Sequence, residues 1–169
     1  MLDKPNNEEK TLVQKGLEFF IPGYKGYRES ESIIEADSKV RAFIVRNIGE
    51  LIAEVDAVKK KVMVKAGGLK LLPCLENVTS VLKKVSSQVQ FAGSASAGFS
   101  VGGFTNENCV KLKTFDEGIY FSLQEVRKIV EDQRADDGYA KLDEFALKIS
   151  AWADSFSGQL RSRNELIKN

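Results

Sequence analysis

The chain has no histidine among its 169 residues, and its two cysteines, Cys74 and Cys109, lie far apart. Without histidine, neither a Ser-His-Asp triad nor a Cys-His pair can form, and the Glu-x-x-His pattern of ferritin-like di-iron sites is excluded. Two scattered cysteines do not supply the ligands of a zinc site. Only carboxylate, lysine or tyrosine chemistry is left, so we expect a protein that is not an enzyme and has no metal or cofactor.

The segment best suited to a specific contact is 19–27, an aromatic stretch interrupted by one proline and two glycines. Two tyrosines in it flank a Lys-Gly pair, and a run of carboxylates follows. We expect this segment to act either as a structural clasp or as the contact for a partner. The candidate binding residues are Tyr24, Lys25, Tyr27, Arg28 and Asp37.

Asp37 occupies a helix position that should be apolar, because Ile33, 37, Val40 and Ile44 follow the spacing 4, 3, 4. If this carboxylate is buried, it needs a charged or hydrogen-bonding partner. The candidate partners are Lys25, Arg28, Arg41 and the hydroxyls of Tyr24 and Tyr27. Three interpretations are open: Asp37 is solvated near the start of the helix, it anchors the aromatic segment, or it belongs to a ligand site.

These residues need long helices to position them, and the apolar spacing predicts four. Repeats of 4 and 3 residues, typical of helices that pack lengthwise, run through 29–65, 69–91, 114–133 and 139–166, and no strand is predicted. Thr114 and Glu117 form a capping box at the third helix, although an earlier start near Glu107 is an alternative. Phe115 is expected to point inward.

The short Gly67-Gly68 link predicts that the first two helices form an antiparallel hairpin. We therefore expect an all-α fold, an antiparallel bundle of four helices in which the first is the longest. Residues 1–28 form the N-terminal segment with the aromatic loop, and 29–169 form the bundle, as a single domain. The Gly/Ser-rich stretch 92–106 is a crossover between helices two and three, and its role stays open.

Three surface features bear on partners. A second apolar stripe widens the face of helix one and implies contact with two helices or with a second subunit; it consists of Ile34, Val45, Ile48 and Ile52. An apolar cluster near the N-terminus is expected to pack on the bundle, with a membrane or a protein as alternatives; it consists of Leu12, Val13, Leu17, Phe19 and Phe20. Lysines surround the first hairpin tip, at 59, 60, 61, 65 and 70.

Residues 21–31, Ile-Pro-Gly-Tyr-Lys-Gly-Tyr-Arg-Glu-Ser-Glu, with Glu35-Ala36-Asp37 following, resemble the N-terminal signature of a group of prokaryotic helical proteins. In that group the signature reads IPGYxGYxExE followed by READ, and a fainter similarity extends to Phe115-Asp116. Here Ile34 replaces the arginine of READ, which removes any ion pair that this arginine would form. The resemblance implies a cytoplasmic prokaryotic helical protein and no particular reaction.

We therefore expect a helical bundle that acts through protein–protein contact and self-associates through the wide face of helix one. One alternative is a peripheral lipid-binding bundle that uses the N-terminal cluster and the lysine tip. Another is a carboxylate-based metal or small-ligand site built from Glu31, Glu35 and Asp37. The formal net charge of +1 predicts no nucleic-acid partner, and the polar N-terminus, without an apolar signal region, predicts a cytoplasmic protein.

Overall fold

The computed structural model describes residues 17, 18, 20, 21, 23, 24, 27, 30–91, 105–136 and 139–168, without the side chains of 30–32 and 168. Four α-helices make up this part: α1 is Ser30–Met63, α2 is Leu72–Phe91, α3 is Asn106–Ala135 and α4 is Leu142–Lys168. A 3-10 turn, Gly68–Leu71, precedes α2. No strand occurs in these ranges, so the predicted all-α bundle with a longest first helix is confirmed.

The helices run alternately up and down, and each packs against two others: α1 and α4 both contact α2 and α3. The ion pair of Lys59 with Glu76 joins the end of α1 to the start of α2, as the predicted antiparallel hairpin requires. Helices α2 and α3 lie at opposite corners of the bundle, so α1 and α3 are neighbours. These two helices run in the same direction. The predicted four-helix bundle is confirmed, and within it the two hairpins lie side by side with α1 parallel to α3 and α2 parallel to α4.

The predicted apolar seams of α1 and α4 are buried along their whole length, from Ile44 to Val62 and from Leu142 to Phe156. On α3 the prediction is wrong at one turn, where Asp116 is buried and Phe115 is only half-buried. The register explains this, because Leu112, 116, Ile119 and Leu123 continue the 4, 3, 4 spacing. A charged residue therefore occupies a core position of α3.

Two helix starts differ from the prediction. The N-cap of α3 is Thr105, whose side chain accepts a hydrogen bond from the backbone N–H of Asn108 at 3.3 Å. Thr114 lies inside the helix and donates to the carbonyl of Val110, so the capping box predicted there is wrong and the earlier start is right. Tyr139 has a left-handed backbone with φ of 51°, which places it before α4 instead of inside it.

Glycines shape the turn between α1 and α2. Gly67 has a left-handed φ of 78°. A Cβ atom on Gly68 would lie 1.8 Å from the backbone oxygen of Val62, so only glycine fits there. None of the helices in the described ranges has an apolar stretch sufficient to cross a bilayer.

The N-terminal segment packs on the bundle through Leu17 and Ile21, which are both buried. This agrees with the predicted packing of the apolar cluster for Leu17, whereas Phe20 is 44% exposed. Leu12, Val13 and Phe19 lie outside the described residues. The wide face of α1 is covered mainly by its own chain, because Ile48 is fully buried and the half-buried Val45 and Ile52 pack against the core; Ile34 is 40% exposed.

Candidate functional site

A buried polar cluster joins the N-terminal segment to three helices, and we call it the Arg163 cluster. Its members are Tyr27, Asp37, Arg41, Asp116 and Arg163. The Arg163 guanidinium, 1% exposed, donates to Asp37, to Asp116 at 2.6 Å and to the Tyr27 hydroxyl at 3.0 Å. The Tyr27 hydroxyl in turn donates to the second carboxylate oxygen of Asp116. One α4 side chain thus holds α1, α3 and the N-terminal segment together.

Arg41 extends the Arg163 cluster to α2. Its Nε donates to the second oxygen of Asp37 at 2.8 Å, while Nη1 donates to the carbonyl of Val89 at 2.9 Å. Its Nη2 donates to the side-chain oxygen of Asn164 at 3.0 Å. The Asp37 carboxylate is therefore bound by two guanidinium groups, one on each oxygen.

The other tyrosine of the aromatic segment is held differently. The ring of Tyr24 packs edge-to-face on Tyr27, with ring centroids 5.9 Å apart, and is 4% exposed. Its hydroxyl is buried and has no hydrogen-bond partner in the described part of the chain. Lys39 pairs with Glu35 and donates to the carbonyl of Gly23 at 2.9 Å, which fixes the adjacent backbone. Tyr24 therefore contributes apolar packing, and Tyr27 contributes the polar contact.

Burial and charge act in opposite directions on the two carboxyl groups. Burial raises the pKa of Asp37, but the attraction and hydrogen bonds of Arg163 and Arg41 outweigh it, so the net shift is downward. For Asp116 burial is the larger effect and its pKa is raised, even though Arg163 and Tyr27 lower it in part. Burial also raises the pKa of both Tyr24 and Tyr27. The ionised form of Asp116 therefore depends more on the guanidinium of Arg163 than the ionised form of Asp37 does.

The Arg163 cluster contains charged and phenolic groups, but its geometry is that of a structural clasp. Among the described residues of the cluster, two carboxylates face two guanidinium groups, so opposite charges meet inside the core. Asp37, Asp116 and Arg163 are each at most 2% exposed, which leaves no access for a substrate. Pockets of about 450 and 440 Å³, at the α3–α4 turn and between α2 and α4, are lined by other residues.

The structure brings together three of the five residues predicted for the site. Tyr27 and Asp37 both bind Arg163, and Tyr24 packs beside them. Lys25 and Arg28 lie outside the described residues. The interpretation of Asp37 as a solvated carboxylate is wrong, since it is 1% exposed and paired.

The carboxylate metal site gains no support from the geometry. Glu35 is exposed and pairs with Lys39, while both oxygens of Asp37 are turned to arginines. The side chain of Glu31 is not described. Across the described ranges, no three histidine, cysteine, aspartate or glutamate side chains are grouped so that they could hold a metal ion.

Sequence reasoning missed Arg163 and did not assign Asp116 to the site. The signal was the one that identified Asp37, a charged residue in an apolar register. On α4, Phe156, Leu160 and 163 continue the spacing 4 and 3, so an arginine stands at a core position. Two acids and one base in the core registers of three predicted helices indicate an ion-pair cluster.

A row of aromatic side chains follows the outer groove between α1 and α3, and we call it the aromatic row: Phe20, Phe43, Tyr120 and Phe121. Tyr120 stacks on Phe20 at 5.3 Å and on Phe43 at 6.3 Å between ring centroids, and Phe121 meets its edge at 5.8 Å. Phe20 is 44% exposed and Phe121 is 54% exposed. The row therefore presents apolar surface to the solvent.

Comparisons with protein-family models, with curated proteins and with solved structures find no match to this chain.

Proposed function

We propose that this protein is a non-enzymatic helical bundle that acts by self-association through the face on which α1 meets α3. The observation that carries the proposal is the aromatic row, because two of its four rings are about half exposed on one continuous surface. Cytoplasmic location and prokaryotic origin belong to the same proposal, supported by the resemblance of residues 21–37.

Aromatic side chains at the surface are suited to an interface. Isolated exposed apolar residues are ordinary, but aromatic groups are enriched in the dry centre of interfaces and dominate their energetics. Phe20 and Phe121 both contact Tyr120, so the two exposed rings belong to one group of contacting aromatic side chains. Covering both rings would remove apolar surface from water without a change in the bundle.

A glycine beside the row supports close approach of another helix. Gly118 lies inside α3, one turn before Phe121, and a Cβ atom built on it would meet nothing within 4 Å. A glycine inside a helix costs about 1 kcal/mol relative to alanine. The space above Gly118 is free of atoms of the described residues, so a helix of a second copy has room to approach there, next to the aromatic row.

A second copy of this chain fits the face by its charge. The formal net charge of +1 means little repulsion between two copies. Exposed charges of both signs lie near the row: Arg46 stands over the Phe43 ring at 5.7 Å on α1, and Glu125 follows Phe121 by one turn on α3. In a two-fold symmetric pair the same patch meets itself, so cations of one copy face acids of the other.

Light scattering over a concentration series from low to high micromolar tests the proposal. We expect a dimer whose dissociation constant rises at least tenfold in Phe121→Ser and in Gly118→Leu. The matched controls are Leu147→Ser, an exposed apolar residue of α4, and Gly158→Leu, a helix glycine with open space around it, and both should dimerise normally. A wild-type monomer at high micromolar concentration would refute the proposal, as would equal loss in the controls.

A further inference from the structure

The end of the first hairpin exposes apolar side chains at the most protruding part of its turn. We call residues 60–71 the bundle tip. Met63 is 56% exposed, Val64 is 86% exposed and Leu69 is 68% exposed. Met63 and Val64 precede the sharp turn at Gly67 and Gly68, and Leu69 follows it. Nothing in the aromatic row on the α1–α3 face accounts for this second apolar patch.

The bundle tip is also strongly basic. No acidic residue lies between Asp56 and Glu76 in the sequence. Lys59 forms ion pairs with both of those acids, at 3.1 and 3.2 Å, so its positive charge is compensated. The exposed lysines within the bundle tip are Lys60, Lys61, Lys65 and Lys70.

The turn between α3 and α4 is next to the bundle tip, and its charged residues affect only some of the four exposed lysines. Lys65 is turned toward that turn, with its ammonium group 4.4 Å from the centre of the Tyr139 ring. Of the described acids there, Glu144 pairs with Lys148, Asp143 lies beside the Cys74 thiol, and Asp136 follows the end of α3. Lys60, Lys61 and Lys70 form no ion pair with any residue in the described ranges, so three positive charges remain around the apolar patch.

We propose that the bundle tip attaches to the surface of an anionic lipid bilayer. Val64, Leu69 and Met63 enter the interfacial layer, and the surrounding lysines contact the phosphate headgroups. An anionic surface attracts each nearby lysine enough to strengthen attachment by about fivefold. Three small apolar side chains alone attach weakly, so the two contributions are needed together.

The charge of the bundle tip favours an anionic bilayer over a protein groove. Its most exposed apolar residues, Val64 and Leu69, lie before and after the Gly67–Gly68 turn in the sequence, and exposed lysines occur on both sides of the same turn. Lysines that form no ion pair with the described residues, next to exposed apolar side chains, suit a surface of many equivalent anionic headgroups. The contact leaves the α1–α3 face free, so it is independent of self-association.

Vesicle flotation tests the proposal with phosphatidylglycerol-containing and pure phosphatidylcholine vesicles. We expect the protein to float only with the anionic vesicles and to be released by salt, since the Debye length falls from about 10 Å at 0.1 M to about 3 Å at 1 M. Two variants should each lose at least tenfold in vesicle affinity: Val64→Ser with Leu69→Ser, and Lys60→Gln with Lys61→Gln and Lys70→Gln.

The controls carry the same chemistry elsewhere on the surface. Leu147→Ser removes an exposed apolar side chain of α4, and Lys83→Gln with Lys84→Gln and Lys128→Gln removes three exposed lysines of α2 and α3. Both should bind anionic vesicles like the wild type. Absence of flotation with anionic vesicles would overturn the proposal, and so would equal losses in the tip variants and the controls. Light scattering on the same tip variants should show unchanged self-association, which separates the two proposals.

Discussion

Replacing Arg163 with methionine is the sharpest test of the buried clasp. Methionine keeps the length of the aliphatic stem, so the packing of α4 is largely retained while the charge is removed. In the described part of the chain Asp116 then keeps the Tyr27 hydroxyl and no guanidinium, while Asp37 loses Arg163 and keeps Arg41. The variant therefore removes a guanidinium from each of two buried carboxyl groups at once.

The expected loss of stability is large. Removing one partner of a buried ion pair typically costs about 3–5 kcal/mol, because the remaining charge is left desolvated. Domains are stable by only about 5–15 kcal/mol, so this is a major part of the total. With a urea dependence of about 2 kcal/mol per molar, the unfolding midpoint at pH 7 should fall by about 1.5–2.5 M.

The pH dependence identifies the cause of the loss. Arg163 lowers the pKa of both carboxyl groups, so without it the folded-state pKa of Asp116, already raised by burial, rises further, and that of Asp37 rises from its lowered position. Groups with raised folded pKa values favour the folded state at low pH and oppose it as the pH rises through those values. The deficit of Arg163→Met relative to the wild type should therefore shrink as the pH is lowered from 7 toward 4.

Urea unfolding followed by circular dichroism measures both effects, and Arg161→Met is the control. Arg161 is exposed on the same helix, two residues away, and its replacement should change stability by less than about 0.5 kcal/mol. A loss in Arg163→Met below about 1 kcal/mol would contradict the proposed clasp. A loss that is independent of pH would show that packing, and not charge, is responsible.

Three further predictions concern the clasp and the first turn. Tyr27→Phe should lower the free energy of unfolding by about 1.5–3 kcal/mol, because the Tyr27 hydroxyl is hydrogen-bonded to charged groups. Tyr24→Phe should lower it by less than about 0.5 kcal/mol, since the Tyr24 hydroxyl has no hydrogen-bond partner among the described residues. Urea unfolding of the two variants measures both values, and equal losses would contradict the prediction. Gly68→Ala should destabilise more than Gly67→Ala, because only the former clashes with backbone, as thermal unfolding would show. The pKa of Asp37 is lowered on folding, so its contribution is complete above the unfolded value and is lost as the pH falls through the folded value; Asp37→Asn should flatten the acid limb of the stability curve.

Much of the fold could be predicted from the sequence because helix packing depends on local periodicity. The apolar spacing of α1 and α4 identifies the buried faces correctly, and the Gly67-Gly68 link predicts the first hairpin. The predicted start of α3 is too late, because the capping pattern of Thr114 and Glu117 occurs inside the helix. The choice between Thr105 and Thr114 depends on packing that a capping pattern does not contain.

Only part of the candidate site could be predicted from the sequence, because a local pattern does not identify contacts between distant residues. The apolar register identified Asp37 as anomalous, but it could not say which charge would meet it. The partner that matters, Arg163, is separated from it by 126 residues and lies on a helix whose position depends on how the two hairpins pack.

The sequence by itself determined that the protein is all-α, that it lacks histidine chemistry, and that Asp37 needs an explanation. These properties follow from composition and from the 3.6-residue period of the helix, which are local. Only the tertiary structure decided that α1 and α3 are parallel, that Asp37 and Asp116 share Arg163, and that aromatic rings line one outer groove. These three features depend on contacts between segments that are distant in the sequence. The free energy of such contacts depends on burial, which an isolated helix does not provide.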